Sequence, residues 1–384
     1  MFANPFTPLL GEKPHLFFGR EPIRKRFHRS LINPGSDGRA LFVTGTKNIG
    51  KTTLVQELSG MVRAQGWQTI DLGAEDLTRT LLRSLVSYSI HTKTMNPPVS
   101  ASALGIGGSL GAVLSSKTTN YEPEDLQLVF LQACEAHPKG IFISIDEVQK
   151  APLDEIAAVC EAFQMASRKG HNAILVLAGL PYVYDSIIHH EGCTFMRRGV
   201  HERIGLFTYD DTVDAFNNAF DRIDGLEVPK EEIAQLCTLS VGHPYLIQLH
   251  GHYLLSLIND RNTQKSYRVT RHDIEEIAPI ARDAFERRAL RPMVDELSSL
   301  ERDYLRGMAL SIGPDRTART ADVARSIGKQ PRQLSRARAA LIGAGIILAP
   351  TRGEVMFNVP HLADYILKPR TTDAEVVLAR EWRL

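Results

Sequence analysis

An α/β fold built on a parallel sheet is what this sequence predicts for its first half, and three observations carry that prediction. Short apolar runs recur, at Ala40–Thr44, Ile141–Ile145 and Ala173–Ala178. They are too short for helices and lack polar alternation, the pattern of strands buried on both faces. Between them apolar residues return at helical spacing, as in Leu54, Val55, Leu58, Met61 and Val62. Glycines and a lysine punctuate the first strand-to-helix junction, Gly45-Thr-Lys-Asn-Ile-Gly50-Lys51-Thr52.

Taken in order, residues up to about Pro14 are rich in Pro and Gly and read as an extended arm. Ala40–Thr44 is the first strand, Lys51–Gln65 a helix, Trp67–Leu72 a second strand and Leu77–Ile90 a helix. Ile141–Ile145 and Ala173–Ala178 are the third and fourth strands, with an amphipathic helix over Leu153–Ser167 between them, and Ile204–Phe207 is expected to be a fifth. Strands that alternate with helices imply a parallel sheet covered on both faces. The segment 100–116, with Gly105, Gly107, Gly108 and Gly111, reads as a hairpin or mobile loop. No acidic residue follows it at the spacing a dinucleotide fingerprint requires.

After Phe207 the pattern turns helical. Thr208–Asp211 and Thr270–Asp273 have the form of capping boxes. Helices near Thr212–Ile223, Lys230–Ser240, Pro244–Ile258 and Asp273–Leu290 would make a small bundle. Further on, Leu300–Leu310, Thr320–Ile327 and a helix from Lys329 to Gly345 are followed by short strands at Ile346–Leu348 and Val355–Phe357. Three helices and a hairpin predict a winged helix.

A chain of 384 residues, 43% of them hydrophobic, can bury the cores of roughly two or three domains. Lys and Arg number 45 against 44 Asp and Glu, yet the charge is uneven. From Ser298 to Arg370 twelve bases face six acids, so a basic C-terminal module follows an acidic body. That distribution leaves nucleic acid open as a partner. The four cysteines, Cys134, Cys160, Cys193 and Cys237, form no Cys-x-x-Cys pair and read as reduced core residues. No apolar run approaches the ~20 residues of a membrane span, and the N-terminus lacks the basic and apolar regions of a signal peptide. The expected location is the cytoplasm, with no membrane partner.

The glycine loop carries the chemistry. Between a strand and a helix, Gly45, Thr46, Lys47, Asn48, Ile49 and Gly50 would wrap backbone N–H groups around phosphates, which the helix N-terminus also favours. Lys51 would reach the β- and γ-phosphates, the Thr52 hydroxyl would ligate Mg2+, and Thr53 completes the first turn. Ile141-Phe-Ile-Ser-Ile-Asp146-Glu147 is an apolar strand that ends in two acids, at the sheet edge where the loop also lies. Asp146 is suited to hold the metal and Glu147 to orient or deprotonate an attacking water. The sequence therefore predicts a P-loop NTPase with ATP and Mg2+ as cofactors, and hydrolysis by water rather than a small-molecule kinase.

The ordered set Phe18-Gly19-Arg20-Glu21, the phosphate loop, Ile145-Asp-Glu-Val-Gln149, Ala178-Gly-Leu-Pro181, Glu202-Arg203-Ile204 and Gly242-His-Pro-Tyr-Leu-Ile-Gln248 resembles the AAA+ ATPases. It is similar to a bacterial group akin to the archaeal and eukaryotic Orc/Cdc6-like ATPases, and also to the STAND class of signalling NTPases. The resemblance runs from about Asn4 to Arg370. It implies a nucleotide domain over 1–207, a helical lid over 208–296, a winged helix over 297–370 and a tail over 371–384. It implies that Phe18, Gly19 and Arg20 lie near the adenine and that the Gly242–Pro244 motif, through Pro244, reports the bound state. His243 inside that motif is not read as a metal ligand. It places a catalytic arginine finger among Arg197, Arg198 and Arg203, which precede or begin the fifth strand, and Arg203 is the choice made here. Two departures favour a slow switch over fast turnover. The fourth strand ends in Ala178-Gly179 without a polar sensor, and Gly242-His-Pro carries no sensor arginine.

A winged helix can dock its third helix in the major groove and its wing on the backbone. Lys329, Arg332, Gln333 and Arg336 would be the groove contacts and Arg352 the wing contact. The expected function is a nucleotide-controlled ATPase switch, ATP- or ADP-bound, with output through double-stranded DNA and ATP-dependent homo-oligomers. The alternatives are a STAND-type signalling or defence NTPase whose winged helix contacts an unknown protein partner, and a regulator that binds nucleotide without hydrolysis.

Overall fold

In the computed structural model of the chain, residues 1–8, 16–33, 35–95, 123–262 and 264–368 are described. The glycine-rich segment 100–116, the tail 371–384 and the second part of the expected arm lie outside those residues. The chain divides into two compact units, one of Leu9–Gly45 with Ile49–Gly205, the other of Met1–Pro8, Thr46–Asn48 and Leu206–Leu384.

The first unit runs α1 (Glu21–Ile32), β1 (Ala40–Thr44), α2 (Lys51–Ala64), β2 (Gln68–Leu72), α3 (Leu77–Met95), α4 (Pro123–Ala136), β3 (Ile141–Ile145), α5 (Leu153–Arg168), β4 (Ala173–Gly179), α6 (Val183–His189) and β5 (Val200–Arg203). The five strands form a parallel sheet in the order β2-β3-β4-β1-β5. Strands β1, β3 and β4 are buried along their whole length. Successive side chains leave opposite faces of a strand, and the core follows suit. Phe42, Ile143 and Leu175 pack with Leu81, Phe130 and Ile156 on one face. Val43, Phe142 and Val176 pack with Phe27, Leu54 and Leu58 on the other.

The fifth strand departs from expectation. It is Val200–Arg203, paired residue for residue with Leu41–Thr44, rather than Ile204–Phe207. As an edge strand it buries only Val200 fully, so it presents no apolar run to read. Ile204, which signalled a strand, follows it and packs into the core, and its N–H donates to the Thr44 carbonyl at 2.7 Å.

The second unit continues with α7 (Tyr209–Phe220), β6 (Leu226–Glu227), α8 (Lys230–Ser240), α9 (Pro244–Arg261), β7 (Tyr267–Arg268), α10 (Arg271–Phe285), α11 (Arg291–Asp295), α12 (Ser299–Ser311), β8 (Thr317–Arg319), α13 (Thr320–Ser326), α14 (Ser335–Gly343), β9 (Ile347–Leu348), β10 (Glu354–Phe357) and α15 (Leu362–Leu367). Both expected capping boxes form, at Thr208 with Asp211 and Thr270 with Asp273, and a third joins Ser298 to Glu301. The helix expected over Asp273–Leu290 instead changes at Phe285 into a π-helical turn, Glu286–Leu290.

Residues 1–8 lie against α7 and α9. Phe6 is 3% exposed and packs on Phe216 and Phe220, with ring centroids 6.2 and 5.3 Å away. Gly251 makes room for it, since a Cβ there would stand 2.4 Å from the ring. The C-terminal strands pair antiparallel in the order β8-β10-β9. One hydrophobic core runs from Tyr245 and Leu249 through Phe285 and Leu290 to Tyr304, Val323, Leu341 and Val355.

Candidate nucleotide site and nucleic-acid interface

Thr44 ends β1 with its hydroxyl 2.8 Å from Nε2 of His201 on β5. Gly45 follows, held by its N–H to the Gly179 carbonyl at 3.3 Å. A Cβ at Gly45 would stand 2.7 Å from the Ile204 carbonyl oxygen and from Ile49, so glycine is required by space. Asn48 and Gly50 both take positive φ, 62° and 93°, and the chain turns directly into α2. Ile49 anchors the loop in the core at 3% exposure. At Asn48 the left-handed region is the one an Asn tolerates best among non-glycine residues.

Lys51 is 5% exposed, and its ammonium donates to the Gly45 carbonyl at 3.1 Å. It thus lies back across the loop it closes. Thr52 is exposed and Thr53 half-buried in the first turn of α2. Lys47 ion-pairs with Glu296, both within the second unit.

Strand β4 stands between β1 and β3, so about 10 Å separates the ends of those two strands at ordinary spacing. The gap is spanned above the small residues Ala178 and Gly179 by the Thr52 hydroxyl, which donates to Asp146 Oδ2 at 2.5 Å. The other carboxylate oxygen of Asp146 accepts the Glu147 N–H at 2.8 Å. Thr52 and Asp146 thus bring two hard oxygens together. That set fits Mg2+, which takes one or two protein oxygens and fills the remaining positions with phosphate and water.

Glu147 has φ 55°, a left-handed conformation unusual for a residue with a side chain. Its Oε2 accepts from Nε2 of Gln149 at 2.7 Å and lies 3.5 Å from Nζ of Lys150.

Gly19 and Arg20 are also left-handed, φ 66° and 60°, and Arg20 caps the start of α1. Its guanidinium donates to the Gly205 carbonyl, which sets the Phe18-Gly19-Arg20 turn beside the chain that leaves β5. Arg203 ends β5, level with Thr44. Arg197 and Arg198 precede the strand at its opposite end, where Arg197 Nε donates to the Ile188 carbonyl at 2.8 Å. The expectation that Arg203 begins the strand is therefore corrected. It shares the sheet edge of the glycine loop, and the other two arginines do not.

Pro244 opens α9 in the second unit. Gly242 has φ 68°, and a Cβ there would strike the Phe207 carbonyl oxygen at 2.3 Å. His243 is 2% exposed, and its Nδ1 accepts the Tyr245 N–H at 3.3 Å. Burial, with His361 nearby, lowers its pKa to about 3, so the ring is neutral and acts as a helix cap.

The third C-terminal helix starts as a 3-10 turn, Pro331–Leu334, before α14. Arg332, Gln333 and Arg336 are exposed there, Lys329 is half-buried, and Arg352 is exposed between β9 and β10. Arg325 pairs with Asp322, whereas Lys329, Arg332, Arg336 and Arg352 form no ion pair with a described residue. Gln333 differs from the reading as a base contact. Its Oε1 accepts the Gln330 N–H at 2.8 Å in a reciprocal cap, which leaves only its amide N–H groups to face outward.

Two polar residues were missed from the sequence. Gln149 touches both Glu147 and the end of β4, since its Oε1 accepts the Leu180 N–H at 3.2 Å. His201 joins β5 to Thr44 and stacks on Tyr184 at 3.7 Å, and burial followed by Arg203 lowers its pKa to about 4. Gln149 ends the Ile145–Gln149 marker, where no role was read for it, and His201 lies outside the quoted motifs; a position two residues from Glu147 or Arg203 was the signal for each.

Residues 287–366 match a family described as a domain of unknown function, DUF8462. No curated protein matches the sequence. Among solved structures, the ORC2 protein of Aeropyrum pernix in its ADPNP-ADP complexes is 14% identical, with 99% of each chain covered and a TM-score of 0.63. The ADP form of that protein is 14% identical over 98% of this chain and 97% of the other, with a TM-score of 0.52. The likeness establishes the fold, a five-stranded parallel-sheet domain followed by a helical C-terminal region, as in those ORC2 structures. Among the described residues no helix is long and apolar enough to cross a membrane.

Proposed function

We propose that the chain binds ATP with Mg2+ and hydrolyses it as a nucleotide-controlled switch. The observation that carries this reading is the convergence of Thr52, Asp146 and Glu147 beside a glycine loop closed by Lys51. The backbone N–H groups of Gly45 to Thr53 bind the phosphates, with Lys51 supplying the charge. Mg2+, when bound with ATP through Thr52 and Asp146, neutralises phosphate charge. Glu147 orients the attacking water and takes its proton. Arg203 adds positive charge at the same sheet edge. Phe18, Gly19 and Arg20 flank the adenine, and Pro244 belongs to a lid over 208–296. The structurally similar ORC2 protein was solved in ADPNP-ADP complexes, which supports nucleotide as the ligand. Phosphate release from MgATP by the full-length chain tests the reading, with at least a ~10²-fold loss expected in Glu147→Gln on the scale of general-base roles. Binding without release would instead leave a non-hydrolysing regulator.

We assign residues 297–370 to a winged helix whose output is duplex DNA. Exposed Arg332, Arg336 and Arg352, free of ion pairs with described residues, support it. One observation favours a second reading. The core shared by Tyr245, Phe285, Tyr304 and Val355 joins this module to the preceding helices, as suits a STAND-type module that contacts protein. Anisotropy titration of the full-length protein with duplex DNA separates the two.

A further inference from the structure

We propose that Gln149 is the positioning residue that aims Glu147, standing in for the polar residue that the end of β4 lacks. This inference rests on the reading of Glu147 as the residue that activates water.

Gln149 lies in the 3-10 turn Val148–Lys150 that follows Glu147. Its amide orientation is fixed by its two partners. The Leu180 N–H can only donate, so it faces Oε1, at 3.2 Å. The Glu147 carboxylate can only accept, so it faces Nε2, at 2.7 Å. One side chain thus bridges the end of β4 to one oxygen of the candidate base.

Three features show that the bridge is built rather than incidental. Gly179 leaves room for it, because a Cβ there would stand 2.9 Å from the Gln149 amide oxygen. Leu180 is buried, and without Gln149 its N–H would stand beside the site with no acceptor among the described residues. Glu147 is held at φ 55°, and such backbone persists only where its surroundings over-determine it. The Glu147 N–H bond to Asp146 and the Gln149 bond to its carboxylate supply that constraint from both ends.

The consequence is selective. Oε2 of Glu147 is occupied by Gln149, with Lys150 3.5 Å away, so Oε1 is the oxygen presented to a water. Among the described residues no hydrogen bond or ion pair ties Gln149 to the glycine loop or to Thr52 and Asp146, so Glu147 is its route to the chemistry.

The experiment is a double-mutant cycle on the full-length chain, with Gln149→Met, Glu147→Gln and both together. MgATP affinity and single-turnover hydrolysis are read for each. Methionine keeps the length of the side chain and removes both hydrogen bonds. Gln149→Met is expected to slow hydrolysis by roughly tenfold or more, the scale of one hydrogen bond to a charged group, with affinity held within about twofold on that same hydrogen-bond reasoning. In the Glu147→Gln background it should change nothing further, because residues that act as one unit are not additive. Gln149→Glu, which keeps the acceptor for Leu180 but faces Glu147 with a like charge, should be at least as slow and guards against a folding defect peculiar to methionine. A wild-type rate in Gln149→Met, or an equal further loss in the double variant, overturns the proposal while Glu147 keeps its role. A Glu147→Gln chain as fast as wild type overturns the reading of Glu147 itself, and the Gln149 proposal with it.

Discussion

Lysine 51 offers the sharpest test, because its burial makes two effects separable. The side chain is 5% exposed with its ammonium on the Gly45 carbonyl. Lys51→Ala removes the packed stem, a loss of about 0.8 kcal/mol per buried CH2. It also removes a charge taken out of water, a gain of opposite sign. The unliganded melting temperature should therefore move little. The liganded protein behaves differently. At MgATP one hundred times above Kd, binding stabilises the folded state by about 2.7 kcal/mol. For a unit of this size each kcal/mol moves Tm by roughly 2–4 °C, so wild type should gain about 5–10 °C. Lys51→Ala should gain almost nothing under the same conditions. The assay is a thermal shift series with and without MgATP. An equal gain in both proteins would refute the assignment of this loop to phosphate, whatever other activity the chain shows.

The charge of the C-terminal module predicts that full-length protein binds duplex DNA at low salt and loses it steeply as salt rises. Arg332→Glu with Arg336→Glu should remove that binding without lowering Tm, since both side chains are exposed, and a salt-independent complex would refute it. His243 and His250 have pKa values lowered by burial, to about 3 and about 4, against about 6.5 in an unfolded chain. Stability should be full above that unfolded value and fall as pH drops from it toward 4 and below, by up to about 1.4 kcal/mol per pH unit for each ring. His250→Asn should flatten the fall in a Tm series across pH 7 to 4, and an unchanged slope would remove His250 from it. Arg203→Ala should slow single-turnover hydrolysis, and a dilution series tells a residue acting in its own chain from one reaching a neighbour, whose effect fades as light scattering reports dissociation.

The three inner strands were legible because burial on both faces demands unbroken apolar runs. Ala40–Thr44 and Ile141–Ile145 have the bounds their composition implies. The capping boxes at Thr208 and Thr270 were legible for a similar reason, since their hydrogen bonds are local. Elements that depend on distant partners were not. β8 is three residues long and exists because Thr317–Arg319 pairs with Glu354–Met356, a match no local pattern announces. The π-helical turn at Glu286–Leu290 kept its helical periodicity in sequence, so it read as a plain continuation of α10. The turn from β1 into α2 and the placing of Asp146 at the end of β3 were legible, each being a contiguous run of residues. Gln149 was not, because its meaning comes from Leu180, thirty-one residues away in the chain.

The misplaced fifth strand shows what such a shift does to the placing of charged side chains. Read at Ile204–Phe207, the strand would put Arg203 at its start, together with Arg197 and Arg198. In the structure Arg203 pairs with Thr44, the last residue before the loop, while Val200 pairs with Leu41 at the other end. At about 3.3 Å per residue, the three steps from Val200 to Arg203 span roughly 10 Å, and Arg198 lies further back still. Three arginines grouped together in the sequence reading therefore stand at two different edges of one sheet. Arg197 already donates to the Ile188 carbonyl at the far edge. For Arg203, the strand end stands beside Gly45 and the Phe18–Arg20 turn, since Ile204 bonds to Thr44 and Arg20 to Gly205. A polar edge strand thus fixes a charge at the site by register alone, and only Val200 in it carried the apolar signal by which strands are read.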